Sequence, residues 1–192
     1  MTKFEAMSHM LIKKISNQES EVKHLDIFSV ERPLPIHLFT YLEYLQDELE
    51  CSDAVFALAY LYIEKLLQKY PKFVINASNL LRLTFTSVVS AFKFTEDKII
   101  SYNDIAKLGH LDVKELSVLE RVFLSSLEYE LWDEEIRQNY EDLLISWNNF
   151  SMYSDIEYDE DLEDIGNLST STTVSLDELT NFSELSAFFT DI

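Results

Sequence analysis

Gly109 and Gly166 are the only glycines in 192 residues, and there are only three prolines. Tight chain reversals draw on Gly, Pro and Asn-Gly pairs, so this chain cannot supply the turns of an all-β sandwich or barrel. A glycine-rich phosphate cradle is excluded too, because such loops need several close glycines. What remains is a fold whose elements satisfy their own hydrogen bonds locally. Hydrophobic residues at 47% and aromatics at 13% are enough to give it a core, and the length suits one domain with extensions.

The first 150 residues read as helices. Phe4, Met7, Leu11 and Ile15 recur at helical spacing and predict a short N-terminal helix, followed by a connector over 17–32. Pro35 is suited to the first turn of a second helix, along which Leu38, Leu42, Leu45 and Leu49 mark one face. Ser52 is a candidate N-cap for the next helix, which Pro71 closes. There Val55, Leu58, Ala59, Tyr62, Ile63, Leu66 and Leu67 keep the 3–4 rhythm, while Phe56, Ala57, Tyr60 and Leu61 fill the other sides. A helix apolar on nearly every side is a buried one. Lys65 lies on its more polar side, where truncation is expected to be near neutral.

Asn76 is placed to cap a helix over about 77–94. Ser101 with Asp104, and Asp112 with Glu115, form capping-box spacings for two more, the first ending at Gly109. Asp133 is the expected cap of a last helix, with Ile136, Tyr140, Leu143, Trp147 and Phe150 on one face. Short connections between such helices suit a compact bundle.

Charge separates the chain into two parts. From 151 onward there are eleven acids and no base, against 24 acids and all 15 bases before it, within a total net charge of −20. Seven acids in the ten residues 155–164, then Ser/Thr at 169–173, cannot bury enough apolar surface to offset ordering, so 151–192 is expected to be a disordered acidic tail. Within it, Leu179, Phe182, Leu185 and Phe189 form a short amphipathic segment. No basic stripe is present to displace counterions, which argues against a nucleic-acid partner. The longest uncharged runs are 12 residues, too short to span a membrane, and the charged residues of 1–16 leave no signal-peptide core. Cys51 stands alone, which excludes an internal disulfide and a cysteine-based zinc site and fits a reducing compartment, cytoplasm or nucleus.

Catalytic groupings are not apparent. His9, His24, His37 and His110 are scattered without metal-ligand spacing, and no nucleophile elbow appears. No cofactor or metal is expected, and the chain is not expected to be an enzyme. Two charged residues stand out instead. Lys93 closes a mostly apolar helix. It reads either as a lysine snorkelling where the helix dipole favours a cation, or as a functional group. Glu120 lies between Leu116 and Leu124 one turn either way, either exposed beside a nearby base or set into an apolar face. Paired, the two would form a charged hydrogen-bonding spot inside a hydrophobic surface, suited to the backbone groups of a partner helix end.

The order and spacing of several stretches resemble a cyclin box, and more narrowly the single-box cyclins of the plant P/U type and the fungal phosphate-pathway type. These stretches are Tyr60-Leu61-Tyr62-Ile63-Glu64-Lys65-Leu66, Ile75-Asn76, Arg82-Leu83 through Thr86-Ser87-Val88, Ala91-Phe92-Lys93-Phe94, Ala106-Lys107-Leu108-Gly109, and Glu115-Leu116 through Leu119-Glu120 to Phe123-Leu124. The resemblance spans about 33–144. The resemblance implies an all-α fold: a single cyclin box of five helices with flanking N-terminal and C-terminal helices and an acidic tail. The implied divisions are 1–32, N-terminal helix and connector; 33–150, the box with the helix that follows; and 151–192, the tail.

The resemblance further implies a non-catalytic activator that forms a heterodimer with a cyclin-dependent kinase. In that family a lysine closing the third box helix and a glutamate in the fifth form a pair at the kinase-binding face. By position these are Lys93 and Glu120, with Phe94, Leu124, Tyr129 and Leu131 as the surrounding apolar contacts. Some positions depart from the family pattern: Glu64 stands where many members have Asp, Val122 where the subfamily often has Asp, and Gly109-His110 where Gly-Gly is usual. No second box fits after Phe150. The competing reading is an acidic all-helical interaction adaptor with no kinase partner.

Overall fold

The computed structural model describes residues 3–150 except 17, 19, 34 and 35, with side chains as far as 147. The acidic tail with its amphipathic segment, and the opening of a helix by Pro35, lie outside the described residues. Among those described, seven α-helices follow one another: α1 (Lys3–Ile12), α2 (Leu38–Leu49), α3 (Asp53–Lys69), α4 (Leu80–Thr95), α5 (Tyr102–Leu108), α6 (Val113–Ser126) and α7 (Glu134–Phe150). No sheet forms among them; the single extended pairing is a bridge between Ile15 and Ile75. The fold is all-α, a five-helix box (α2–α6) with a helix on either side.

α3 is the centre. Its residues 55–63 are all buried, so no side of it faces water over more than two turns. α4 makes the most extensive pairing with it, and α7 covers another side. α4 carries Thr84, Thr86, Ser87 and Ser90 into the interior, all buried, and of these four hydroxyls that of Thr84 alone has no hydrogen-bond partner. Hydroxyls can be buried cheaply only when they are bonded. Thr86 donates to the Arg82 carbonyl at 2.8 Å and Ser90 to the Thr86 carbonyl at 2.8 Å, both back-bonds along the helix. Ser87 instead donates across to the Ala59 carbonyl of α3 at 2.6 Å, a short bond that fixes the close approach of the two helices.

Side-chain caps account for the starts of α5, α6 and α7. Ser101 Oγ accepts from the Asp104 N–H, and Asp112 Oδ1 accepts from the Lys114 and Glu115 N–H groups. Asp133 Oδ1 accepts from the Ile136 N–H. Three expectations need correction. α4 starts at Leu80, not near 77, because Asn76 Oδ1 accepts from both the N–H and the hydroxyl of Ser78, while the buried Asn79 side chain bonds the Asn76 N–H and the Val74 carbonyl. These bonds hold 76–79 in a turn. α1 ends at Ile12, and Ile15 is drawn off into its bridge with Ile75. The connector also contains a 3-10 helix, Lys23–Phe28, which buries Leu25 and Phe28 against α4 and α6.

Ser52 sits at the start of α3 without capping it through its own side chain. Its N–H and hydroxyl both donate to Glu96 Oε1, at 2.9 and 2.6 Å. A carboxylate just past the end of α4 therefore serves the start of α3. At the end of α5, Gly109 has an ordinary φ of −87°. Its need for glycine is steric, since an added Cβ would lie 2.2 Å from the Phe85 ring. His110 takes the left-handed conformation that follows, at φ 52°.

Candidate partner-binding face

α4 ends with Lys93 in its last turn, where the partial negative charge of the helix C-terminus favours a cation. α6 packs beside α4, and its own periodicity turns Leu116, Leu119, Glu120 and Phe123 inward. Glu120 is thereby only 8% exposed, a carboxylate that would be costly to bury unpaired. Its Oε1 accepts from Lys93 Nζ at 2.6 Å, and its Oε2 accepts from the Tyr102 hydroxyl. The two charged residues singled out in the sequence are thus brought into contact. The pair is lopsided, with the carboxylate inside and the Lys93 side chain 38% exposed. Arg82 and Glu115, at 2.5 Å, tie α4 to α6 at a second point.

Around this pair the apolar candidates take different positions. Phe94, directly after Lys93, is 47% exposed, a large ring left in water at a helix end. Leu124 lies one turn beyond Glu120 on α6 and is half-buried. Tyr129 is 64% exposed, in the turn after α6. Glu128 and Tyr129 both adopt left-handed backbone, φ 56° and 60°. For residues with side chains this is strained by about 1–2 kcal/mol each, and it persists only where surrounding bonds enforce it. Here the Tyr129 N–H donates to the Leu124 carbonyl at 2.9 Å, and Lys69 holds Glu128 at 2.6 Å. The result turns the Tyr129 ring outward. Leu131 is half-buried as well and packs partly against the core.

Tyr102 is the contributor that sequence spacing does not identify. It follows the Ser101 cap, and nothing local marks it as a neighbour of Glu120; the packing of α5 on α6 brings it there. Burial, then the bond to Glu120, pushes its phenol well above the ordinary tyrosine range.

Among the described residues no group of three His, Cys, Asp or Glu is placed to hold a metal ion. Cys51 is buried, and burial pushes its thiol up to about 11, which leaves it a poor nucleophile. No helix among the described residues is long and apolar enough to cross a membrane. The chemistry this site offers is recognition: a half-exposed cation on a buried carboxylate, with the exposed Phe94 directly after the cation.

A family model described as Cyclin matches residues 5–131. Cyclin-U4-2 of Arabidopsis thaliana is 31% identical over 117 residues, which cover 61% of this chain and 54% of that protein. Cyclin-U4-1 of the same plant is 33% identical over 126 residues, 66% of this chain and 61% of that protein. Cyclin-P4-1 of Oryza sativa subsp. japonica is 33% identical over 93 residues, 47% and 43% of the two chains. The chain thus matches roughly half the length of these relatives. With the model match taking in α1 to the turn after α6, on an all-helical fold, the chain belongs to the cyclin family and is similar to its plant U- and P-type members.

Proposed function

We propose that this chain is the regulatory subunit of a cyclin-dependent protein kinase heterodimer and activates it without doing chemistry itself. Lys93, Glu120, Phe94, Leu124, Tyr129 and Leu131 form the contact face. The observation that carries this reading is the Lys93–Glu120 pair: the carboxylate is buried and the ammonium half-open beside the exposed Phe94. An ammonium has three donors, and Glu120 engages one of them, so the others can meet backbone carbonyls of a partner loop or helix end. The apolar side chains press on the mobile helix of the kinase small lobe. Seating that helix assembles the kinase's own Lys–Glu pair, which holds the ATP phosphates. Activation follows if the chain binds the active conformer more tightly; moving a kinase from about 1:99 to 99:1 active needs a preference of about 5.5 kcal/mol.

In this proposal the box and its following helix, 33–150, bind the kinase, and the acidic tail, 151–192, tunes partner choice or turnover. The heterodimer works in the cytoplasm or nucleus. We also group the chain with the fungal phosphate-pathway type, on the order of its sequence motifs alone.

The test is capture by a panel of cyclin-dependent kinases, followed by a phosphotransfer assay. Lys93→Ala and Glu120→Ala are each expected to weaken binding by about 2–5 kcal/mol while circular dichroism stays unchanged. A chain cut after Phe150 should still activate. Unaltered affinity in both variants would sink the assigned face, and a chain that binds no member of the panel would leave the adaptor reading in its place.

A further inference from the structure

Tyr102 opens α5 and is half-buried against the core where α5 meets α6. Its hydroxyl and its ring have separate roles. The hydroxyl donates to Oε2 of Glu120, the oxygen that Lys93 does not use. The ring carries the Lys93 ammonium, with its centroid 4.2 Å from Nζ, within the range of a cation–π contact. Three helices therefore meet through one carboxylate, one ammonium and one phenol.

Each group would behave differently without the phenol. Oε2 of a carboxylate buried this deeply would lose its donor. Lys93, on a flexible four-carbon stem at a helix end, would sample several rotamers and pay the ordering cost only when a partner arrived. A ring fixed at the first residue of a capped helix removes much of that freedom in advance.

We infer that Tyr102 is a positioning residue of this face: it holds Glu120 and Lys93 in a single geometry in the free chain, so that the remaining Lys93 donors are aimed before a partner binds. The partner half of this inference rests on the proposed kinase-binding function; the geometric half does not. Tyr102 does not need to touch the kinase. It acts through Lys93 and Glu120.

The test uses the full chain. Side-chain NMR of Lys93 reads the ring directly, because protons above an aromatic face shift upfield. The wild-type Lys93 terminal methylene signals are expected to be shifted and sharp. Tyr102→Phe, which keeps the ring and loses the hydroxyl, should retain part of the shift and broaden; Tyr102→Leu should lose it. Thermal melts of each variant serve as the folding control. With a kinase found in the panel, Tyr102→Phe should weaken binding about threefold to tenfold, the ordering cost of one long side chain. In a Lys93→Met background the same change should add nothing, which a merely structural role would not produce.

Unshifted Lys93 signals in the wild type, or equal affinity of wild type and Tyr102→Leu, would overturn the inference. If Tyr102→Leu does not fold, Tyr102→Phe decides: Lys93 signals and affinity identical to wild type overturn it. If the wild-type chain binds no kinase in the panel, the functional reading fails, and the Lys93 signals still decide the geometry.

Discussion

Lys65 meets two carboxylates and Lys93 one, and the two clusters differ in what they leave open. Lys65 leaves α3 toward the turn before α7, where it donates to the Glu130 carbonyl at 3.0 Å, to Glu130 Oε2 and to Asp133 Oδ2. Its side chain is 14% exposed and its donors are used inside the molecule. Lys93 meets one carboxylate oxygen and one aromatic face, and its side chain is 38% exposed. Burial alone would lower the Lys65 pKa; bonds to Asp133 and Glu130 more than offset it and raise it. A lysine whose donors are consumed at home joins helices, and one with donors to spare can meet a partner. The charge and the residue type are the same, so the difference is one of surroundings.

The largest change should come from removing the support beneath the Lys65 cluster. Leu66, its neighbour on α3, is fully buried. Leu66→Ala is expected to cost about 2–5 kcal/mol in a denaturant titration, from lost burial and the cavity left behind. A cost below that range would mean that α3 is not the central helix.

Gly109→Ala acts on the other cluster. The added methyl meets the Phe85 ring, so α5 must shift, and Tyr102 rides on α5. Overpacking of this kind costs about 1–3 kcal/mol. The Lys93 side-chain signals should move while those of Lys65 stay in place. Equal movement of both would break the distinction between the two sites.

Lys65→Ala is the direct comparison. The sequence places Lys65 on the polar side of α3 and suggests a near-neutral change, but its bonds to the segment before α7 overturn that expectation. Charge-assisted bonds to partly exposed partners predict a loss of about 1–3 kcal/mol in stability, with affinity for the proposed kinase partner preserved. Lys93→Ala should lower affinity for the proposed kinase partner and, by leaving the buried Glu120 without its cation, some stability too. If Lys65→Ala lowers affinity as much as Lys93→Ala does, the two lysines share a role and the contrast collapses.

The smallest effect is a change in pH dependence. Burial pushes the Asp133 carboxyl up, and the Ile136 N–H and Lys65 more than offset this, leaving it below its ordinary value. A carboxyl with a lowered folded pKa contributes stability above its unfolded value near 3.8, lost as pH falls through the folded one. Removing Lys65 removes part of that lowering. The acid limb of Lys65→Ala should therefore be shallower than wild type below about pH 4, by a fraction of a kcal/mol. Melts in acid would show this, and parallel limbs would mean that Lys65 does not stabilise the charged carboxylate.

Helix placement was largely legible in the sequence because its causes are local. A cap needs a side-chain oxygen two or three residues before the N–H groups it serves, so Ser101, Asp112 and Asp133 marked the starts of α5, α6 and α7. The burial of α3 was equally legible, since apolar residues on every side of a helix can only be accommodated inside. Where local signals competed, the sequence misled: Asn76 has a cap's chemistry, but its bond to Ser78 makes a turn, and α4 waits until Leu80.

The contacts that decide the site are of another kind. Lys93 and Glu120 were each suspect as charges beside apolar neighbours, and the family resemblance paired them; their 2.6 Å contact depends on how α4 crosses α6. Tyr102 under Lys93, Glu96 at the start of α3 and Lys65 reaching across to Asp133 had no signature at all. By itself the sequence determined which stretches are helical and which sides turn inward, because backbone bonding and hydrophobic periodicity act over three or four residues. Only the tertiary structure decided which charges meet, because partners 27 and 68 residues apart become neighbours through helix packing alone.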